Sequence, residues 1–364
     1  MFKFFRKIRQ RLLTENKFSK YILYAIGEIL IIVFGVLIAV QINNWNEQVK
    51  KDKTIASVFE TIKKNLIQDV KEVDKVIQFY VAKDSLIELV LNRKVTKEQY
   101  QDNPKLRTLV MYYNEIAINT MGYESLKENI NDVPLEYEKA LIDINFIYTR
   151  ILQSIEINIK SSRSLVEHTL QKWADNYSWY RTPRETTTRA PNDDMIDFFL
   201  NDSSYLGDVR MYKMIGILNH LQKARQFKLF AISAIIKIDQ VNNISFEQSI
   251  DDLNNKIDSI ELINMNPIQD YVFKTIPTDY QSSRLIINNS FNEELFFYYK
   301  YEEGFDVLVP IEEKSIEPKT IGTFYLLKDI PFIVKDSIGN TVGTFKPTSS
   351  YNCINLKYSE SYID

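Results

Sequence analysis

The sequence predicts a mainly α-helical protein with a single N-terminal transmembrane helix, a bundle of long helices and a small all-β domain, an antiparallel sandwich, at the C-terminus. Three observations predict this fold class. One long apolar run lies near the N-terminus, neither glycine nor proline occurs between Gly35 and Pro104, and six of the ten prolines fall in the last 98 of the 364 residues. We therefore expect a basic tail (1–20), a membrane helix (21–42), a helical bundle (43–265) and a β-domain (266–364).

The apolar run from Tyr21 to Val40 carries one charged residue, Glu28. Twenty helical residues span about 30 Å, the thickness of a bilayer's hydrocarbon core. Seven basic residues precede the run, and an excess of basic residues marks the cytoplasmic side of a membrane helix. The pattern predicts an uncleaved anchor whose N-terminus is cytoplasmic. A cleaved signal peptide is the alternative, although no small-x-small cleavage site follows the run.

The N-terminal stretch FKFFRKIRQRLL is amphipathic when drawn as a helix. Its apolar face and its cations are typical of a helix that lies on an anionic membrane surface, so Arg6, Lys7, Arg9 and Arg11 are predicted to contact headgroups. Trp45 is predicted to lie in the interfacial belt at the other end of the span. A basic tail that serves only to orient the protein remains the alternative for the N-terminal stretch.

Small residues recur along the predicted membrane helix. Gly27, Gly35 and Ala39 are separated by eight and four positions, a spacing that lets two helices approach closely in a bilayer. Glu28 is adjacent to this face, and a carboxyl group inside a bilayer usually meets a partner helix or a polar cavity. We expect a helix–helix interface here, with a homodimer as one outcome. A protonated or snorkelling Glu28 near the membrane edge is the alternative.

The strings FFRKIRQRLL, NKFSKYILYAIGEI and GVLIAVQINNWNE occur within residues 2–47. They resemble the start of an uncharacterised family of single-pass inner-membrane proteins from Gram-negative bacteria, a domain of unknown function. The later stretch TMGYESLKENI resembles a helical segment of the same family. The resemblance implies a protein of the bacterial inner membrane with a periplasmic C-terminal region. It implies no reaction, cofactor or catalytic residue.

Helical periodicity dominates the region after the span. A stripe of apolar residues from Ile55 to Tyr80 follows near-heptad spacing, which predicts that the membrane helix continues to about residue 92. This spacing is typical of a coiled coil, and packing against the chain's own helices is the alternative.

Further elements are predicted as follows: a helix start at Asn103-Pro104, a long helix from 134 to Trp173 or beyond, a loop over 181–191, helices at 193–200 and 204–239, and a capping box at Ser245 and Gln248.

The last 98 residues contain short runs rich in β-branched and aromatic residues. Such runs between turn residues predict strands, here at 284–288, 295–301, 305–309, 320–327, 332–335 and 341–345. Ser337-Ile338-Gly339-Asn340 is predicted to form a hairpin turn between the last two.

No catalytic or metal-binding motif is visible. The chain has one cysteine, Cys353, and two histidines, His168 and His220, that are 52 positions apart. We therefore expect no enzyme activity, cofactor or metal, and a formal net charge of −3 argues against a nucleic-acid partner. The aromatic cluster Trp173, Tyr177, Trp179 and Tyr180 is predicted to pack internally, with stacking on a sugar or a peptide as the alternative.

The architecture favours a non-enzymatic scaffold or accessory interaction subunit of the cell envelope, with the lipid bilayer and an unidentified envelope protein as partners. The alternative is a periplasmic ligand-sensing helical module that signals through a partner membrane protein, because helical bundles can hold small molecules between their helices. A pocket with convergent polar groups would favour the second hypothesis, and a closed apolar core would count against it.

Overall fold

The computed structural model describes residues 18–257, 263–268, 281–302 and 306–357. The predicted membrane-surface residues Arg6, Lys7, Arg9 and Arg11 lie outside the described residues. The chain divides into two compact units. One comprises Met1–Ser57 with Asn129–Val133, and the other comprises Val58–Glu128 with Pro134–Asp364.

The first unit contains the N-terminal part of helix α1 (Phe18–Leu91) and a short 3₁₀ helix, Ile130–Asp132. Lys51 Nζ forms an ion pair with Asp132 Oδ1 at 2.7 Å. Among the described residues, α1 is the one helix long and apolar enough to cross a membrane, and its apolar window is not buried. Length and composition fit both an anchor and a signal sequence. The prediction of one long helix ending near residue 92 is confirmed.

The second unit begins with the rest of α1 and is mainly helical. Its further described helices are α2 (Lys97–Asp102), α3 (Pro104–Arg107), α4 (Met121–Glu128), a 3₁₀ helix (Leu135–Tyr137), α5 (Glu138–Phe146), α6 (Leu152–Asn176), α7 (Pro183–Thr188), α8 (Asp193–Asn201), α9 (Ser203–Tyr212), α10 (Gln222–Val241) and α11 (Phe246–Lys256). Two π-helical stretches, Ile147–Ile151 and Lys213–Leu221, join α5 to α6 and α9 to α10. The two long helices predicted from periodicity are therefore present, each with a π-helical interruption.

Side-chain caps mark the starts of several helices. Ser245 and Gln248 form the predicted capping box of α11, and Thr96 with Gln99 forms a second one at α2. Asn103 caps α3, but that helix is only four residues long. The prediction of a loop over 181–191 is wrong in its centre, because Thr182 caps α7 and Pro183 occupies its first turn, positions at which both residue types favour a helix.

The apolar stripe of α1 is buried within the second unit from Phe59 onward. Phe59, Ile62, Leu66, Val70 and Val73 are each 0% exposed. The stripe therefore packs against other helices of the same chain, and the coiled-coil interpretation has no support.

Among the described residues of the C-terminal part, the strands form two four-stranded sheets, in the orders β1-β8-β2-β5 and β4-β3-β6-β7. The strands are β1 (Ile263–Asn264), β2 (Ser282–Asn289), β3 (Leu295–Glu302), β4 (Asp306–Ile316), β5 (Thr320–Leu327), β6 (Phe332–Lys335), β7 (Thr341–Phe345) and β8 (Tyr351–Leu356). All six predicted strands are present. The predicted turn joins β6 to β7, where Gly339 has a φ of +95° that favours glycine.

The first sheet is mixed, whereas the prediction was antiparallel. The strand β8 was not predicted, and it pairs in parallel with β2, placing Arg284 opposite Tyr351. A parallel pair cannot be joined by a tight hairpin, so no local turn signal marks it. Apolar side chains that include Leu285, Ile287, Phe297, Phe324 and Phe332 form the sandwich core.

The helical part and the sheets of the second unit contact each other through α10. This helix packs against β2 and β5. The hydroxyl of Tyr351 donates to the carbonyl of Arg225 at 3.4 Å, and Arg284 donates to Gln222 Oε1 at 3.2 Å.

Candidate ligand-binding cleft

The buried face of α1 contains an aspartate, Asp69, and a lysine, Lys83, in register with its apolar residues. From Leu66 onward this face follows steps of three and four residues: Leu66, Asp69, Val73, Val76, Tyr80, Lys83, Ile87 and Val90. Asp69 is 4% exposed and Lys83 is partly buried. A charged residue on a core face normally has a specific polar partner, so these positions identify where α1 meets a polar structure.

That structure is the irregular segment 109–119, which links α3 to α4. No backbone-to-backbone hydrogen bond of the described structure involves residues 112–119. Side chains from the helices bond this backbone instead. The donors or acceptors are Asp69, Tyr80 and Lys83 from α1, Tyr148 from the first π-helical stretch, and Tyr212 from α9. Buried backbone groups need such partners, so the segment depends on these side chains.

Lys83 holds the beginning of the segment. Its Nζ donates to the carbonyl of Leu109 at 2.6 Å and to that of Tyr112 at 2.9 Å. The same nitrogen lies 4.8 Å from the ring centroid of Phe79 and 4.6 Å from that of Tyr212. Burial lowers the pKa of the Lys83 ammonium to about 7. The amine therefore gains or loses its proton near neutral pH.

Asp69 holds the end of the segment. The backbone N–H of Asn119 donates to both carboxylate oxygens, at 3.2 Å each. Burial raises the pKa of Asp69 to about 7, and the hydrogen bond from Asn119 opposes that rise. Tyr148 donates its hydroxyl proton to the carbonyl of Asn119 at 3.3 Å. The segment is thus held at one end by the amine of Lys83 and at the other by the carboxyl of Asp69, and both groups titrate near pH 7.

The buried ring of His220 packs against Tyr80, one of the residues that bond the segment. The hydroxyl of Tyr80 donates to the carbonyl of Asn114 at 3.4 Å, and the ring of His220 packs edge-on against Tyr80 at 5.3 Å. His220 is 0% exposed, and neither ring nitrogen has a hydrogen-bond partner among the described residues. Burial lowers the pKa of His220 to about 4, so the ring is neutral at pH 7. A Cβ at Gly216 would lie 3.0 Å from Tyr80 Cε1, so an alanine here would require the Tyr80 ring to shift by a few tenths of an ångström.

A cleft of about 500 Å³ opens between α1 and the region around α3. One wall is a single face of α1, formed by Phe79, Ala82, Lys83 and Leu86 at helical spacing. The other wall is formed by Asn103, Lys105, Thr108 and Tyr112. This volume lies within the range of small-molecule sites, which combine apolar walls with a few polar groups.

Arg107 fixes the second wall. It is 3% exposed, and its Nη1 donates to the carbonyls of Tyr100 at 2.6 Å and Gln101 at 2.7 Å. Its Nε donates to the carbonyl of Thr186 at 3.2 Å. One guanidinium group therefore joins α2, α3 and α7, and its burial lowers its pKa. The wall of the cleft depends on this side chain, although Arg107 does not line it.

The residues predicted to form a membrane interface all lie on α1. A Cβ at Gly27 or Gly35 would meet no atom within 4 Å, Ala39 is exposed and Glu28 is partly exposed. Trp45 is 65% exposed. These positions remain a prediction, and they are separate in the chain from the residues of the cleft.

The other residues considered from sequence do not form a joint site. His168 is exposed while His220 is buried. Trp173 is 0% exposed and contacts Trp179 and Tyr180 at ring distances of 6.0 Å each, as expected for internal packing. Cys353 is a buried thiol whose pKa burial raises to about 12.

Sequence reasoning missed Lys83, which lines the cleft, and also Asp69 and Arg107, which hold the structure around it. For the first two, a signal was present. Both occupy positions that the heptad-like spacing of α1 reserves for the core, and a charged residue at such a position indicates a local polar partner. Arg107 carries no comparable signal, because its partners are backbone carbonyls at 100, 101 and 186.

Comparisons with known proteins give one similarity. A family model described as "Family of unknown function (DUF6090)" matches residues 28–124. No curated protein and no solved structure matches the chain. The matched region covers about a quarter of the chain and includes all eight residues that line the cleft. Over residues 28–124 the chain is therefore similar to a family whose function is unknown.

Proposed function

We propose that this chain is a membrane-anchored, ligand-binding accessory protein that takes up a small molecule in the cleft beside Lys83. The cleft carries this proposal, because it combines apolar walls with the convergent polar groups of Asn103, Lys83 and Lys105. Of the two hypotheses drawn from the sequence, these features favour ligand sensing. The exposed apolar segment of α1 supports the anchor, and the seven basic residues before it support a cytoplasmic N-terminus with the folded part in the periplasm.

A binding experiment with a cleft-filling variant tests this proposal. Ala82 lines the cleft and is exposed, so Ala82→Phe fills the cleft without disturbing the core. The full-length chain in lipid nanodiscs is titrated calorimetrically with octan-1-ol, with empty nanodiscs as the blank. We expect saturable binding to the wild type that Ala82→Phe abolishes. Ala174→Phe, at an exposed position of α6, should bind as the wild type does. Equal heats for wild type and Ala82→Phe would contradict the proposal.

A scaffold or interaction role is the second proposal, and the open faces of Gly27 and Gly35 support it. Cross-linking of the tagged full-length chain in living cells tests it. We expect a reproducible envelope protein, or a second copy of the chain, that is lost in Glu28→Leu. A monodisperse monomer with no cross-linked partner would contradict this role.

A further inference from the structure

The cleft is lined by two lysines and by no acidic residue. Lys83 lies partly buried inside it and Lys105 is exposed beside it, and they are the ionisable cations among its lining residues. Its other lining residues are Phe79, Ala82, Leu86, Asn103, Thr108 and Tyr112, none of them acidic. Within the described ranges, no carboxylate pairs with either lysine, although the same structure pairs other buried lysines, such as Lys228 with Asp74 at 2.6 Å. Lys83 therefore differs from these lysines in being held by backbone carbonyls and not by a carboxylate.

The geometry of Lys83 leaves room for one more acceptor. An ammonium group has three hydrogens. Two of them are directed to the carbonyls of Leu109 and Tyr112, and these two bonds hold the nitrogen at one position. For the third hydrogen the described residues offer no oxygen or nitrogen acceptor, only the ring faces of Phe79 and Tyr212, whose centroids lie 4.8 Å and 4.6 Å from the nitrogen. An anion that entered the cleft would find a fixed donor inside it and a second cation, Lys105, beside it.

The apolar walls of the cleft indicate that the uncharged part of the ligand is aliphatic or aromatic. The rings of Phe79 and Tyr112 and the side chains of Ala82 and Leu86 surround the space next to Lys83. Burial of aliphatic or aromatic groups against such walls is favourable, whereas a small hydrophilic anion would leave them in contact with water.

We propose that the cleft binds an acidic amphiphile, a molecule that carries one carboxylate on an aliphatic body, with the carboxylate at Lys83 and Lys105. This inference rests on the proposed ligand-binding function and names the class of its ligand. A charge-assisted hydrogen bond to a fixed, partly buried ammonium distinguishes an acid from an alcohol of the same length. A cationic amphiphile would be repelled by both lysines.

Binding of the acid should depend on pH, because the bound carboxylate favours the protonated form of Lys83. Burial lowers the pKa of Lys83 to about 7, and a bound carboxylate favours the protonated amine. The other titratable groups around Lys83 are the phenols of Tyr112 and Tyr212 and the ammonium of Lys105, and burial raises the pKa of the Tyr212 phenol well above its ordinary value. Affinity for the acid should therefore fall as pH rises above 7.

Three eight-carbon probes test the inference: octanoate, octan-1-ol and octylamine. Each is titrated into the full-length chain in nanodiscs, with empty nanodiscs as the blank. We expect octanoate to bind at least about tenfold more tightly than octan-1-ol at pH 6.5, and octylamine to bind most weakly. In Lys83→Met, the preference for octanoate over octan-1-ol should disappear, and saturable binding of octan-1-ol to this variant shows that the cleft is still formed. Lys75→Met, at an exposed position of α1, serves as the matched control.

The outcomes separate this inference from the proposed function. Saturable binding of octan-1-ol without a preference for octanoate would overturn the acid and leave the cleft as a binding site. A preference that persists in Lys83→Met, or one that is equal at pH 6.5 and pH 9, would also overturn it. If none of the three probes binds in a saturable manner, both proposals fail.

Discussion

Lys83 and Tyr212 donate hydrogen bonds to the same acceptor, the carbonyl oxygen of Tyr112, at 2.9 Å and 2.6 Å. The two residues are 129 positions apart in the chain, and the Lys83 nitrogen also lies 4.6 Å from the centroid of the Tyr212 ring. One helix from the N-terminal half and one from the middle of the chain therefore converge on a single backbone group of the 109–119 segment, directly beside the cleft.

Replacement of Lys83 should loosen the start of this segment. Lys83→Met removes the donors to Leu109 and Tyr112, so the amides at 109–113 should exchange with deuterium faster than in the wild type. Hydrogen exchange followed by mass spectrometry on the full-length chain measures this. Lys75→Met should leave exchange at 109–113 unchanged, and wild-type protection in Lys83→Met would show that the lysine does not hold the segment.

Asp69 should make stability depend on pH. Its pKa in the folded chain is about 7, against an ordinary value of 3.8, so the folded state binds more protons than the unfolded state between these values. Stability from this group is present at low pH and is lost as pH rises from about 4 to about 7. Lys83, whose pKa is lowered from 10.5 to about 7, acts oppositely: its contribution to stability rises from about pH 7 toward pH 10.

The variant Asp69→Asn keeps an oxygen that can accept from Asn119 and removes the charge. It should flatten the decline in melting temperature between pH 5 and pH 8, and at pH 8 it should be roughly 2–4 kcal/mol more stable than the wild type. Thermal unfolding followed by circular dichroism measures both effects. Asp175→Asn, at an exposed site, should reproduce the wild-type profile, and an unchanged profile in Asp69→Asn would refute the assignment.

Loss of Arg107 should destabilise the helical part. Arg107→Met leaves the carbonyls of Tyr100, Gln101 and Thr186 without their donor, and unpaired buried polar groups of this kind together cost about 3 kcal/mol or more. We expect a clear decrease in the denaturant midpoint. Arg181→Met, at an exposed position, should change it little. If both variants unfold at the wild-type midpoint, Arg107 does not support the cleft wall.

Replacement by alanine should destabilise the fold at Gly122 in α4 and stabilise it at Gly207 in α9. A Cβ at Gly122 would lie 2.9 Å from Ile62 Cγ1 and 3.1 Å from the backbone nitrogen of Ile62, so Gly122→Ala should cost about 1–3 kcal/mol. A Cβ at Gly207 would meet nothing within 4 Å, so Gly207→Ala should stabilise α9 by up to about 1 kcal/mol. Chemical denaturation of both variants measures the difference, and a stabilised Gly122→Ala would contradict the close approach of α4 to α1.

The elements that the sequence predicts correctly are those that local residue patterns specify. The C-terminal end of α1, the capping box of Ser245 and Gln248, and the turn at Gly339 depend on neighbouring residues, because caps, helical periodicity and turn conformations are local. The error over 181–191 has the same origin, since two prolines suggested a loop where Thr182 and Pro183 in fact begin a helix.

The amino-acid sequence by itself determined the apolar helix, the succession of long helices and six of the eight described strands of the sandwich. Tertiary structure alone decided the parallel pairing of β8 with β2, the cleft, and the shifted pKa values of Asp69 and Lys83. These features depend on groups that are far apart in sequence, such as Lys83 with Tyr212 or Arg107 with Thr186, and on burial. Burial changes the free energy of a charge only after distant elements have packed around it.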